Sequence, residues 1–116
     1  MTFYTTDEKT FLKPCDGGDT NTYAFGVTAE GIGDMGGEIT YFEWCCGIGH
    51  LAKGQTMACI ESTKAAVELH APCDLDVVFL GSMEPFTSDK VEGGRTLAYV
   101  VADEDDVKAS CVEAEA

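Results

Sequence analysis

The decapeptide CIESTKAAVE, residues 59–68, contains the feature that decides the fold, a polar turn between two segments with the character of β-strands. After the turn, the apolar residues Ala65, Val67 and Leu69 occupy every second position, which gives the second segment one apolar face. The turn has neither glycine nor proline, but its serine and threonine hydroxyls can bond nearby backbone groups and support a type I turn. The pattern predicts a β-hairpin with Lys64 at its tip.

A lysine at the tip of a hairpin has its side chain in water, and this environment limits what Lys64 can do. Nothing there desolvates the ammonium group, so Lys64 is a poor candidate for a general base. An accessible amine is instead a good acceptor for an acyl group, once an attaching enzyme has removed its proton. An ordinary solvated turn lysine is the alternative that the residues alone leave open.

Short apolar runs, bounded by glycine, aspartate or proline, predict further strands on both sides of the hairpin. These runs are rich in β-branched and aromatic residues, and a regularly spaced series of them is typical of a sandwich or flattened barrel. The predicted strands are Phe11–Lys13, Tyr23–Val27, Glu38–Glu43, Gln55–Ile60, Ala65–Leu69, Leu75–Leu80 and Thr96–Val101.

An internal repeat favours an arrangement of two sheets. The segments KGQTMACIE (53–61) and GGRTLAYVV (93–101) align without gaps, and an apolar strand precedes each of them. Two such units packed face to face would form a small sandwich with approximate two-fold symmetry. The aligned pairs are Gly54 with Gly94, Thr56 with Thr96, Met57 with Leu97, Ala58 with Ala98 and Ile60 with Val100.

Two segments have helical character. The first is a short helix near residues 28–34 with Thr28 as its N-cap, although the glycines within it weaken it. The second, from Asp103 to Glu115, begins with a run of acidic residues, which is the charge that a helix N-terminus favours. Its apolar stripe is thin, so we expect a solvated C-terminal helix that frays.

The formal net charge of −14, from 21 acidic and 7 basic residues, bears on the choice of partners. A nucleic-acid backbone or an anionic membrane surface would repel such a protein, whereas a basic patch on another protein would attract it. No apolar run approaches the roughly 20 residues that span a bilayer, and residues 1–18 lack the pattern of a secretory signal. We therefore expect a cytoplasmic monomer with a single domain over residues 1–116.

The chain has six cysteines, Cys15, Cys45, Cys46, Cys59, Cys73 and Cys111, but their spacing is a poor match to known cysteine sites. No Cys-x-x-Cys occurs, the two histidines stand apart, and nothing else indicates a secreted protein. We expect reduced, partly buried cysteines that pack as small apolar residues, and we predict no metal site.

Several motifs, in order along the chain, resemble those of the glycine cleavage H protein family. The segment ESTKA (61–65) is similar to the family's lipoyl-lysine motif Glu-Ser-x-Lys-Ala, whereas the lipoyl domains of 2-oxo-acid dehydrogenases usually have Glu-Thr-Asp-Lys-Ala. The stretch YAFGVTAEGIGDMGGEITYFE (23–43) resembles the family's Gly-Ile-Thr, short helix and Leu-Gly-Asp-Ile-Val region. LHAPCD (69–74) and EPFTSDK (84–90) resemble its Tyr-Ser-Pro and Pro-x-Leu-Val-Asn-x-Asp segments.

The resemblance implies a flattened β-barrel of the lipoyl/biotinyl-domain type and a lipoyl group in amide linkage on Lys64. It implies a carrier without catalytic residues that moves the aminomethyl group of glycine between glycine decarboxylase, aminomethyltransferase and dihydrolipoyl dehydrogenase. A lipoate ligase or lipoyltransferase would attach the cofactor. Glu61, Ser62 and Glu68 flank the tip and are candidate recognition residues, although a solvated hairpin face explains the two glutamates equally well.

The chain also departs from the family pattern, which leaves other functions open. DEKTFL (7–12) stands in place of the family's His-Glu-Trp stretch, with Phe11 where a tryptophan is usual, and Leu75 replaces a glycine. The chain is also short for the family. One alternative is therefore an H-like lipoyl carrier in ADP-ribosylation under oxidative stress or in sulfur oxidation. The others are an unlipoylated binding module and a small metal or redox protein that uses the cysteines.

Overall fold

Ten strands and one helix make up the part of the chain that the computed structural model describes, which is residues 2–5, 10–15, 21–28, 39–81 and 95–115. The strands are β1 (Thr2–Thr5), β2 (Thr10–Pro14), β3 (Thr22–Val27), β4 (Ile39–Trp44), β5 (Gly49–Leu51), β6 (Thr56–Ser62), β7 (Ala66–His70), β8 (Leu75–Leu80), β9 (Arg95–Val101) and β10 (Val112–Glu115), and the helix is α1 (Glu104–Ser110).

The strands form two antiparallel sheets that share one core. The larger sheet has seven strands in the order β10-β1-β2-β3-β9-β8-β5, and the smaller has three in the order β4-β6-β7. Buried side chains from both sheets belong to a single apolar cluster, with Phe25, Val27 and Val100 from the larger sheet and Met57 and Ile60 from the smaller. The predicted mainly β sandwich of two sheets is therefore confirmed.

The two halves of the internal repeat form β6 and β9, one strand in each sheet. Met57 and Leu97, which the alignment pairs, are both buried, and so are the alanines that follow them. Each of the two is the extra residue of a β-bulge. In β6, Thr56 pairs with His70 and Ala58 pairs with Leu69 of β7, so Met57 has no partner in that strand. In β9, Thr96 pairs with Gly26 and Ala98 pairs with Phe25 of β3, so Leu97 has no partner there. The bulge lets two consecutive side chains enter the core.

One side chain joins the two sheets at the end of β4. The indole Nε1 of Trp44 donates a hydrogen bond of 2.7 Å to the carbonyl oxygen of Gly81, directly after β8 of the larger sheet. The ring of Phe42 meets the indole edge to face, with 5.1 Å between the ring centroids. Trp44 therefore packs against the core and also satisfies its polar atom.

The C-terminal helix is present but shorter than predicted. It ends at Ser110, because Cys111 has an extended backbone and β10 follows, pairing with β1 from Thr2↔Glu115 to Thr5↔Val112. The expectation of a helix to Glu115 is thus wrong, since the sheet edge captures the last residues as a strand. The helix is also anchored: Val107 is buried, and the Asp103 carboxylate caps its start by accepting from the backbone N–H of Asp105 at 2.9 Å.

The short helix predicted near 28–34 falls on residues 29–34, which lie outside the described residues, and only Thr28, a buried residue after β3, is described. Within the described ranges, no helix has the length and apolar character needed to cross a membrane.

Candidate functional site

The turn between β6 and β7 is organised by one hydroxyl group. Ser62 Oγ accepts hydrogen bonds from the backbone N–H of Lys64 at 3.2 Å and of Ala65 at 3.1 Å, and it lies 3.3 Å from the carbonyl oxygen of Ala65, to which it can donate. The backbone N–H of Ser62 donates to the same carbonyl at 2.8 Å. The turn therefore needs no glycine or proline, because the serine side chain satisfies backbone groups that a tight turn leaves without partners.

The base of this hairpin is fixed by burial. Ile60 on β6 is directly paired with Val67 on β7, and Ala58 is paired with Leu69. Ile60, Ala58 and Leu69 are fully or almost fully buried in the core. The turn is thus carried on strands that cannot tilt without disturbing the core.

Lys64 projects from this turn into solvent. It is exposed, and it forms no ion pair with any residue in the described ranges. Its backbone N–H, in contrast, is held by Ser62. The structure therefore combines a backbone position held by Ser62 with an exposed primary amine.

The two predicted recognition glutamates lie on the exposed outer face of the smaller sheet, at different distances from the tip. Glu61 adjoins the turn and is paired with Ala66, whereas Glu68 lies farther down the hairpin opposite Cys59. Glu68 Oε2 is 3.5 Å from His70 Nε2. The structure therefore places both glutamates on one face, and Ser62 acts through its bonds within the turn.

The same outer face carries a cluster that the sequence analysis missed. Cys45 Sγ and Cys59 Sγ are 3.3 Å apart, and Glu43 on β4 lies opposite Cys59 on β6. The hydroxyl of Tyr41 donates a hydrogen bond of 2.6 Å to Glu43 Oε2, and this bond is the main reason that the pKa of Tyr41 is raised. In the sequence, Phe42 and Trp44 alternate with Tyr41, Glu43 and Cys45, and this pattern could have placed the last three on one face. Only the strand register brings Cys59 to them.

The thiols largely match the expectation of reduced, partly buried cysteines, because all six are free and Cys45 alone is exposed. The contact with Cys45, together with partial burial, raises the pKa of Cys59 to about 11. Cys45 itself is exposed, whereas Cys73 is buried in the core. No group of three or more histidine, cysteine or acidic side chains in the described ranges could hold a metal ion. The cluster is therefore a pair of neighbouring thiols among carboxylates.

Comparisons with known proteins agree with the fold. No protein-family model matches the sequence, and no curated protein matches it significantly. Among solved structures, the chain is similar to the crystal structure of a glycine cleavage system H protein from Mycobacterium marinum, with 19% sequence identity and a TM-score of 0.55. The match covers 67% of this chain and 62% of that chain, so the similarity spans less than two thirds of the H protein. At this identity the similarity shows a shared fold.

Proposed function

We propose that the protein is a lipoyl carrier with lipoate in amide linkage to Lys64. The observation that carries the proposal is the exposed amine of Lys64 on a turn that the Ser62 hydroxyl holds in place. The site fits the group, because an unpaired primary amine can form an amide with the lipoate carboxyl group. The match between ESTKA and the lipoyl-lysine motif supports this choice of acyl group.

Each part of the hairpin has a role in this function. The buried base formed by Ile60 and Leu69 keeps the turn at a constant position relative to the body of the protein. Ser62 fixes the backbone on both sides of the lysine, so that an attaching enzyme meets the amine in a defined place. Glu61 and Glu68 offer negative charge near the tip to the basic surface of a partner.

The pathway that best fits the proposal is glycine cleavage, with the chain as its non-catalytic H component. In support, its fold is similar to that of a glycine cleavage system H protein over 67% of this chain. The partners would be glycine decarboxylase, aminomethyltransferase and dihydrolipoyl dehydrogenase. When attached, the dithiolane ring supplies sulfur that accepts an aminomethyl group and two electrons. A net charge of −14 suits a small carrier that visits several enzymes through fast, weak and electrostatically steered encounters.

A second pathway deserves a test because of the partial match. Only 62% of the H protein chain is covered, and the sequence departs from the family at Phe11 and Leu75. Because of these differences, an H-like lipoyl carrier that serves another set of enzymes is retained as the alternative. An exposed lysine and a supported turn are equally suited to both pathways.

Attachment is tested by incubating the purified protein with lipoate ligase, lipoate and ATP, and by measuring its intact mass. We expect the mass to increase by one lipoyl unit in the wild-type protein and in Lys53→Arg, which changes another exposed turn lysine, but not in Lys64→Arg. An unmodified wild-type protein, or a Lys64→Arg variant that is still modified, would contradict the proposal.

The pathway is tested with the lipoylated protein. For glycine cleavage, we expect it to stimulate glycine-dependent release of carbon dioxide by glycine decarboxylase. Reduction by dihydrolipoyl dehydrogenase without any stimulation of the decarboxylase would assign the protein to the other pathway, while lipoylation of Lys64 would stand.

A further inference from the structure

The thiols of Cys45 and Cys59 are neighbours because of the strand register. The backbone N–H of Cys45 donates to the carbonyl oxygen of Met57 at 2.7 Å, so Cys45 lies opposite Met57 and diagonal to Cys59. Exposed residues alternate with half-buried ones from Tyr41 in β4 to Cys45, the residue directly after the strand, and Cys45 is one of the exposed residues. The contact of 3.3 Å between the two sulfurs thus lies on the outer face of the sheet.

We propose that Cys45 and Cys59 are a redox-active dithiol that exchanges with neutral or cationic disulfides. The dithiolane of a lipoyl arm on Lys64, which has no charge once it is in amide linkage, belongs to this class; this last part rests on the function proposed above. Cys59 is on the strand that leads into the turn, three positions before Ser62, or about 10 Å along the strand.

The two thiols have different roles in the exchange. Cys45 is the more exposed, so its thiolate attacks one sulfur of the disulfide, forms a mixed disulfide and releases the first half of the reagent as a thiol. The thiolate of Cys59 then attacks the sulfur of Cys45 and releases the second half. The reagent takes up two electrons and two protons, and the protein loses two hydrogens and gains one sulfur–sulfur bond. A raised pKa of Cys59 suits the slower, resolving role.

The charges around the thiols determine which disulfides can approach. Glu43 and Glu68 are the direct cross-strand partners of Cys59 on either side, which places their Cβ atoms about 5 Å from its own. Both glutamates are exposed, and Glu61 lies on the same face toward the turn. An anionic disulfide or dithiol would be repelled from all of these carboxylates, whereas a neutral one would not.

The first experiment forms the bond with cystamine, a cationic disulfide, in the reduced protein. We expect the wild-type protein to lose two hydrogens without retaining reagent, and fragmentation to assign a bond between Cys45 and Cys59. Cys59→Ala should instead retain half of the reagent on Cys45, and Cys46→Ala should behave like the wild-type protein. Absence of the bond, or its formation between other cysteines, would overturn the proposal.

The second experiment compares two reductants that differ only in charge. Oxidised Lys64→Arg protein, which cannot be lipoylated at this position, is mixed with free dihydrolipoamide or with free dihydrolipoate, and the appearance of the Cys45 and Cys59 thiols is followed by alkylation and mass. We expect dihydrolipoamide to react about fivefold faster at low salt, with the difference shrinking as salt screens the glutamates. Equal rates at low salt would overturn the selection by charge.

The outcome of these experiments is independent of lipoylation at Lys64. Cystamine, dihydrolipoamide and dihydrolipoate are all added as free reagents. The thiols can therefore react as proposed even if a lipoate ligase leaves Lys64 unmodified. Conversely, a lipoylated protein whose Cys45 and Cys59 form no bond would retain its proposed carrier function and lose this one.

Discussion

At the scale of single residues, Ser62 has the largest effect on the candidate site. Its hydroxyl accepts two backbone hydrogen bonds and can donate a third within the turn. Many turns depend on glycine or proline for their backbone conformation. This turn contains neither and depends instead on the hydroxyl group of one serine side chain. The position of Lys64 relative to the sheet is therefore determined by Ser62, two residues earlier in the sequence.

The Ser62→Ala variant tests this dependence. Loss of the hydroxyl leaves the N–H groups of Lys64 and Ala65 to water, so we expect a loss of about 1–2 kcal/mol in the free energy of unfolding, measured by urea denaturation. If Lys64 is the lipoylation site, attachment should also become slower. Ser62→Thr keeps the hydroxyl and should recover most of both properties. A Ser62→Ala protein with unchanged stability would show that the turn is held by other contacts.

Cys73 provides a prediction for alkaline pH. Burial is the main cause that raises the pKa of its thiol from 9.0 to about 11 in the folded protein. The unfolded chain ionises first, so the stabilisation is complete below pH 9 and is lost as the pH rises toward 11. We expect the wild-type protein to lose about 1–2 kcal/mol more than Cys73→Ala over this interval, measured by urea denaturation under reducing conditions. Parallel pH profiles would contradict this.

At the scale of elements, β6 and β9 show how the repeat is used. Both strands place a buried side chain at a bulge, Met57 in one sheet and Leu97 in the other. The following residues, Ala58 and Ala98, are also fully buried. Equivalent positions of two related strands thus contribute to the one core that the two sheets share.

Equivalent positions should respond equally to truncation. We expect Met57→Ala and Leu97→Ala each to destabilise the protein by about 2–5 kcal/mol, because each leaves a cavity at the junction of the sheets. Val112→Ala, on an exposed side chain, should change stability by less than about 0.5 kcal/mol. Thermal and urea denaturation give the values. A large effect at one position and a small one at the other would argue against equivalent roles.

Sequence patterns predicted seven of the described strands but missed β1, β5 and β10, although the TFYT sequence of β1 is itself a β-branched and aromatic run. β5 has only three residues and begins with a glycine, and β10 has acidic residues and alanine, which favour helix over strand. In β10, pairing with β1 overrides this local preference. The position of Lys64 could be predicted because a hairpin is local. The contact between Cys45 and Cys59 could not, since it depends on the register between β4 and β6.

At the scale of the whole molecule, the net charge of −14 acts on stability as well as on partners. Few of the described acidic groups have a basic partner: Lys108 contacts Glu104 at 3.0 Å, and the described histidines lie near Asp76 and Glu68. The remaining carboxylates repel one another more strongly in the folded protein, where they are closer together, than in the unfolded chain.

Salt should therefore stabilise the protein. Between about 0.02 and 0.3 M sodium chloride we expect a gain of about 1 kcal/mol, which corresponds to a rise in Tm of about 4 °C for a chain of this size. Differential scanning calorimetry measures it. Potassium chloride should give the same result if the cause is screening. A Tm that falls with either salt would show that favourable ion pairs outweigh the repulsion.

The bond between Trp44 and the Gly81 carbonyl also has an optical consequence. Trp44 is the only tryptophan in the chain, and its indole touches both layers of the sandwich. Its fluorescence therefore arises from one site, where the smaller sheet meets the larger. Separation of the two sheets would expose the indole to water and shift the emission to longer wavelength. Trp44 is therefore an intrinsic fluorescent probe of whether the two sheets stay packed together.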